Sequence, residues 1–244
     1  MKYLGLLFHA PMQSWGAESL PDVNAGSPRN TQLLPTKSAV LGFLNSASGV
    51  SRGQEPPYSS SDIRILTRSD RPGTLMRDYN VAQRTHHGYR AGTTKVIPKY
   101  YLQDATFTVL IGHEDVEIIN QFHEAVNNPK WAPFIGRRAH VLSLPPTLGM
   151  IEAENPRQIL EKTPVMWSKN EATTKTVLYT DSQIGKNDMV TAQTDEQLSH
   201  NIKDRAYGKR EFAQYSVQVE VTNEYRNLPT IQQYQEMVAA YVNQ

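Results

Sequence analysis

The stretch YYLQDATFTVLIGHEDVEIINQFHEAVNNP, residues 100–129, decides how the chain is read. In its first half Ala105, Phe107, Val109 and Ile111 occupy alternate positions, with Thr106, Thr108 and Leu110 between them. That period of two, in β-branched and aromatic residues, predicts a strand over 100–111. The second half changes period. Ile118, Phe122, Ala125 and Val126 fall on one face of a helix over 115–128, and Pro129 ends it.

Upstream, YLGLLF at 3–8 reads as a short buried strand. It stops at His9-Ala10-Pro11, because proline cannot continue a central ladder. Residues 17–34, with Pro21, Gly26 and Pro28, read as loop. PTKSAVLGFLNSASG then predicts a helix, with Thr36 as N-cap, Val40, Leu44 and Ala47 on one face, Leu41 beside them, and Gly49 as the stop. After a loop at 51–61, Ile63, Ile65 and Thr67 alternate with Arg64 and Leu66, a weak strand signal. Residues 70–98 are polar and basic and lack helical period. There Tyr79, Val81 and Gln83 would face Thr93, Lys95 and Ile97 in a hairpin tipped by THHGYRAG. An irregular strand near 139–143 would close the unit.

The resulting order, βαββαβ, is the ferredoxin-like or RNA-recognition arrangement of an α+β domain. Such a sheet leaves one face free of helices, a common platform for nucleic acid, although a fold does not specify a function. After SLPP at 143–146 the composition shifts to Pro, Asn, Gln, Thr and charge. TVLYT at 176–180 and YSVQVEVT at 215–222 read as strands. Ile231, Tyr234, Met237, Val238 and Tyr241 stand at helical spacing. The chain therefore divides into residues 1–145, with a basic insertion at about 77–99, and a smaller, mainly β region at 146–244 that ends in a helix.

Composition narrows the function classes. The 244 residues carry 25 Lys+Arg against 24 Asp+Glu and no cysteine, which excludes disulfides, thiolate zinc sites and cysteine nucleophiles. No apolar run reaches the roughly 18 residues of a membrane helix. The short apolar run at the N-terminus is broken by Pro11 and lacks a secretory h-region, so a cytoplasmic location is expected. The net charge of +1 conceals an uneven distribution. Arg68 to Lys99 holds seven basic residues against two acidic ones, whereas Gly112 to Asn128 holds four acids and no Lys or Arg. The basic segment is either a phosphate-binding surface or a solvated loop.

Several clusters could carry chemistry. Gln13-Ser14-Trp15-Gly16 follows the first strand. Its amide, hydroxyl and indole suit base contacts and stacking, or else Trp15 packs in the core and Ser14 caps a turn. Pro35-Thr36-Lys37-Ser38 opens the first helix, where free N–H groups, two hydroxyls and an ammonium would seat a phosphate; ordinary capping is the alternative. The glycines of a nucleotide-hydrolysing loop are missing. Gly136-Arg137-Arg138 sets adjacent guanidinium groups on a glycine turn, and Arg29 from the first loop could join them. His86 and His87 sit at the hairpin tip near Arg84, Tyr89, Arg90 and Lys95, residue types that could contact RNA or support metal-free cleavage. His113-Glu114-Asp115 is not a zinc motif, the acids are scattered, and no dinucleotide fingerprint occurs, so neither metal nor cofactor is expected.

Read in order, LLFHAPMQSWG at 6–16, PTKSAVLGFLNSASGV at 35–50, RSDRPGTLMRDYN at 68–80, PKYYLQDATFTVLI at 98–111 and FIGRRAHVLSLPP at 134–146 resemble the CasD family. These are the CRISPR RNA 5′-handle-binding subunits of type I-E Cascade, within the RAMP superfamily. DRAYGKREFAQYSVQV at 204–219 resembles the family's C-terminal segment more loosely. The resemblance implies a modified RNA-recognition fold with a β-hairpin thumb and a small C-terminal domain. It implies a non-catalytic role: holding the 5′ handle of mature CRISPR RNA, capping the backbone subunits, and docking near the large subunit that engages target DNA. RNA-contacting residues would be Gln13, Ser14, Trp15, Arg29, Thr36, Lys37, Ser38, Arg84, Tyr89, Lys95, Gly136, Arg137 and Arg138. In type I-C relatives the equivalent subunit is a metal-independent endoribonuclease, which makes precursor cutting by His86, His87 and Lys95 the alternative. The tip THHGYRAGTTK and residues 223–244 match no fixed part of the family pattern.

Overall fold

A computed structural model describes residues 1–16, 30–82, 85, 86, 89, 90, 94–163, 165, 173–181, 188–200, 206–220 and 236. The first strand, β1 (Lys2–His9), is followed by the two-residue β2 (Met12–Gln13) and by helix α1 (Lys37–Ser48). Thr36 caps α1 as its sequence suggests: its Oγ1 accepts from the Ala39 N–H at 3.2 Å. Gly49 ends the helix at φ +77°, in the left-handed region that glycine enters at least cost. Strand β3 (Arg64–Arg71) follows. The excursion consists of β4 (Thr74–Ala82), β5 (Thr85–His86), β6 (Tyr89–Arg90) and β7 (Lys95–Gln103). The chain then runs through β8 (Thr106–Gly112) and α2 (Val116–Asn127), whose N-cap Asp115 accepts from Glu117 N–H at 2.9 Å. The remaining elements are β9 (Thr147–Glu152), α3 (Pro156–Lys162), β10 (Thr173–Thr180), β11 (Val190–Gln197) and β12 (Tyr207–Glu220).

Among the described residues seven of these strands form one sheet, in the order β11-β12-β10-β3-β8-β1-β9. The pairings within it are antiparallel. On one face Leu4, Leu6 and Phe8 of β1 and Phe107, Val109 and Ile111 of β8 pack under Val40, Leu41 and Leu44 of α1 and Ile119 and Phe122 of α2. This is the mixed α/β core that the alternation at 105–111 and the helical face at 118–126 require. The strands after residue 146 continue this sheet: β9 pairs with β1 at one edge, and β10 pairs with β3 at the other.

Four expectations are corrected. The second face of the sheet is not free of helices. Tyr3, Leu66 and Leu110 are buried there beneath Ile159 and Leu160 of α3, with Leu178, Val217 and Val219. Arg68 fixes α3 in place: its buried guanidinium donates to the Leu160 and Thr163 carbonyls and to Asp70, which also accepts from the Thr108 hydroxyl at 2.6 Å. As a result β8 is buried along its whole length, so that face offers no open platform.

The strand expected over 100–111 is two strands in different sheets. Asp104, at φ +55°, breaks it, and its N–H donates to the Pro11 carbonyl at 3.1 Å. Across from Asp104, Gly73 sits at φ +72°, and a Cβ there would meet the Gln103 carbonyl oxygen at 2.6 Å. Between these two points the β4–β7 ribbon leaves the main sheet, bordered at its base by β2. Its register pairs Tyr79 with Pro98 and Val81 with Val96, one residue away from the expected pairing. That shift exchanges the faces of one strand relative to the other. Lastly, no strand forms at 139–143. Residues 135–140 close on themselves, with His140 N–H donating to the Arg137 carbonyl and Ile135 N–H to the His140 carbonyl, both at 2.8 Å. The strand starts only after Pro145 and Pro146. The helix expected over 230–242 lies outside the described residues apart from Glu236, which is helical. No helix among the described residues is long and apolar enough to cross a membrane.

Candidate nucleic-acid interface

The N-terminus of α1 is occupied from within the protein. Asp195, from β11, accepts the Lys37 N–H at 2.8 Å, filling the position a phosphate would take. Arg210 of β12 holds Asp195 with two bonds, Nε to Oδ1 at 2.9 Å and Nη2 to Oδ2 at 2.8 Å. The Lys37 ammonium lies 3.3 Å from Glu196 and 3.9 Å from Asp181, and Arg210 lies 3.7 Å from Asp181. Lys37 is only 3 % exposed. Its charge is neutralised internally by Glu196 and Asp181, away from the solvent-facing position that a phosphate ligand was expected to take. Thr36, also buried, spends its hydroxyl on the cap. Burial raises the pKa of Asp181 against the pull of Arg210 and Lys37. Burial alone would lower that of Arg210, but the Asp195 bonds and the surrounding carboxylates outweigh it, raise it and keep the guanidinium charged.

Gln13 and Trp15 are likewise internal. Gln13 Nε2 donates to the Ala105 carbonyl at 2.6 Å, and the Trp15 indole N–H donates to Gln13 Oε1 at 3.2 Å. The Trp15 ring meets Phe8 and Phe107 edge to face, with centroids 5.1 and 6.0 Å apart. An indole buried this way has no free face for a base, and this placement matches the core-packing alternative for Trp15, with Gln13 bonded beside it.

The two loops singled out separately in the sequence nevertheless touch. Ser14 N–H donates to the Ile135 carbonyl at 3.3 Å. Gly136 sits at φ +79°, and a Cβ there would overlap the Ser14 carbonyl oxygen. Only glycine fits this position, for both its φ and the close approach. The Ser14 hydroxyl is buried, with no partner among the described residues, as is His140 Nδ1. Burial and the Arg137 charge lower the pKa of His140 against its backbone hydrogen bond to Ile135. The half-buried Arg137 donates from Nη2 to the Tyr100 carbonyl at 2.9 Å, tying the loop to the base of the β4–β7 ribbon. Arg138 beside it is exposed.

Arg138 opens onto a groove of about 880 Å3. One wall is the outer face of α1, formed by Ser38, Gly42, Asn45 and Ser46, continued by Arg52 and Gln54 from the following loop. The opposite wall is Trp131, Phe134 and Arg138, and Gln197, His200 and Tyr207 close one end. Among the described residues no Asp or Glu lines it. Trp131 is 42 % exposed, with the Lys130 ammonium 5.8 Å from its ring centroid. Of the sequence candidates, Ser38 and Arg138 reach this groove; Gly136 lies in the loop that leads into it. Arg52, Trp131, His200 and Tyr207 were missed. The pair Lys130-Trp131, just ahead of FIGRR, was the signal that could have found them.

On the ribbon, Tyr79 is 66 % exposed and Arg77 is exposed, while Lys99 donates to Asn80 Oδ1 at 2.8 Å. His86 pairs across the tip with Tyr89, and Lys95 with Ala82, through backbone. The side chains of His86, Tyr89 and Lys95, and the whole of Arg29, Arg84 and His87, lie outside the described residues. Among the described residues no group of three or more His, Asp or Glu is placed to hold a metal ion.

Residues 3–218 match the family described as CRISPR-associated protein (Cas_Cas5). The chain is 30 % identical over 174 residues to the Cascade subunit CasD of Escherichia coli strain K12, covering 65 % of this chain and 75 % of that one. It resembles a solved chain of a CRISPR RNA-guided surveillance complex at a TM-score of 0.72 and 26 % identity, over 99 % of this chain and 100 % of the other. A second solved structure, of a Cas protein, aligns at a TM-score of 0.66 and 25 % identity, over 90 % of this chain and 98 % of the other. With the family model matched over residues 3–218, from β1 into β12, and 30 % identity to the CasD subunit, the chain belongs to the Cas5 family of CRISPR-associated proteins.

Proposed function

We propose that this chain binds the 5′ handle of a mature CRISPR RNA within a type I-E Cascade complex and does not cut it. The observation that carries the reading is the groove between α1 and the Gly136 loop, whose described lining holds Arg52, Arg138, Trp131 and Tyr207 and no Asp or Glu. Guanidinium groups pair with phosphates, and aromatic faces stack on unstacked bases, at about 1–3 kcal/mol per base. We read β1-α1-β3 and β8-α2-β9 as a ferredoxin-like unit of the RNA-recognition type, with the β4–β7 ribbon as a thumb whose Tyr79 and Arg77 would meet the RNA where the handle ends. The E. coli relative is a Cascade subunit, which supports backbone and large subunits as the partners and an indirect role at target DNA.

The test is RNA binding by the full chain across a salt series. Arg52→Ala with Arg138→Ala should weaken binding to a single-stranded handle RNA and lower the slope of log K against log salt by about 0.7 for each phosphate that is no longer neutralised. A folded double variant with unchanged affinity and slope would refute the groove. Incubation with precursor RNA in EDTA should leave the RNA intact, and specific cleavage there would refute the non-catalytic assignment.

A further inference from the structure

Gly42 stands in the middle of α1, exposed on the groove wall, and a Cβ built on it would meet nothing within 4 Å. A helix-interior glycine weakens its helix relative to alanine, and no neighbour among the described residues requires one here. What it leaves on the groove wall is helix backbone uncovered by a side chain at this position. Three residues on, and so on the same face, is Asn45. The Tyr58 hydroxyl donates to Asn45 Oδ1 at 2.6 Å, and the Tyr58 ring is held edge to face by Phe122 with centroids 5.1 Å apart. Asn45 borders both the groove and a smaller hollow on the Tyr58 side. With Oδ1 engaged on the Tyr58 side, Nδ2 is left for the groove, and it has no partner among the described residues.

We infer that Asn45 is a specificity-determining residue: in the groove it donates from Nδ2 to a carbonyl oxygen of one nucleobase, whose ring rests on the backbone at Gly42. The inference rests on the groove being the RNA site. The two-bond pairing of an asparagine with adenine needs its amide oxygen as acceptor as well as its amino group. Tyr58, which lines the hollow and not the groove, engages that oxygen on its own side. The position therefore favours a base that presents a keto oxygen, uracil or guanine, over adenine. Arg52 and Arg138 bind phosphate whatever the base, so affinity and selectivity reside in different side chains.

The test measures binding of the full-length chain to fluorescent octauridine and octaadenosine RNA. The readout is the ratio of the two affinities. Adenine stacks better on aromatic rings than uracil, so the change in ratio on mutation carries the information. Asn45→Ala combined with Tyr58→Phe removes both hydrogen-bonding partners and leaves no orphaned hydroxyl to unfold the chain. This variant should shift the ratio several-fold towards octaadenosine. Arg138→Ala should weaken both RNAs equally, and Gly42→Leu should weaken both without lowering the melting temperature. An unchanged ratio in the Asn45 variant, alongside weakened binding in the Arg138 variant, overturns the inference and leaves the groove reading intact. Unchanged binding in both the Arg138 and Gly42 variants overturns the groove reading itself.

Discussion

Replacing Asp195 by alanine removes the carboxylate that caps α1 and binds Arg210. Asp195 is 2 % exposed and Arg210 11 % by side chain, so the loss falls in a nearly dry site. Removing one partner of a buried pair costs about 3–5 kcal/mol, because the other charge is stranded. Here Arg210 keeps Asp181 at 3.7 Å, which recovers part of that. The loss of the cap on the Lys37 N–H adds about 1 kcal/mol. We therefore expect a loss of about 3 kcal/mol, or about 6–12 °C in melting temperature for a chain of this size. Urea denaturation gives the free energy directly. A second effect follows from the vacated seat: inorganic phosphate should raise the melting temperature of Asp195→Ala and leave that of the unmodified protein nearly unchanged. A destabilisation below about 1 kcal/mol, or equal responses to phosphate, would refute the account of this network as the link between α1 and the β11–β12 pair.

Gly136→Ala should cost more than about 2 kcal/mol in the same assay, since it imposes both a positive-φ penalty and an overlap with the Ser14 carbonyl. A change within experimental error would refute the close approach of the two loops. Gly42→Ala should act oppositely and stabilise by about 0.5–1 kcal/mol, because its site is open and helical; a lower melting temperature would contradict this. The lowered pKa of His140 makes the folded state bind fewer protons than the unfolded chain below the ordinary value of 6.5. Stability should therefore fall as pH drops through 6.5 and level off below the folded value. His140→Phe should flatten that part of the pH–stability curve, measured by urea titration, and an unchanged curve would exclude His140 as its source.

The legible parts of the fold were those set by local periodicity. Phe107, Val109 and Ile111 announce a strand, Ile118 and Phe122 a helix, and Thr36 and Gly49 the ends of α1, all within a few residues of sequence. The break at Asp104 was not legible. No Gly or Pro marks it between Tyr100 and Ile111, and the turn is imposed by the pairing of β2 with β7 and the bond from Asp104 to Pro11. The seven-residue α3 was invisible for a similar reason: a short helix has too few positions to reveal a period, and this one is held by Arg68 from 92 residues away. Trp15 and Trp131 show the limit for the site. Both are single tryptophans near a glycine-containing turn, yet one lies in the core and the other borders the groove.

The sequence by itself determined the core elements β1, α1, β8 and α2, the capping of α1, the place of the basic excursion and the family, because each of these is written in neighbouring residues or in the succession of short motifs. Tertiary structure alone decided which charges remain available. Lys37 and Arg138 look alike as basic residues beside small ones, but Lys37 is surrounded by carboxylates brought from residues 181, 195 and 196, whereas Arg138 borders a groove with none among its described lining residues. Coulomb interactions depend on distance through space and on burial, and neither is encoded at the position of the charge itself.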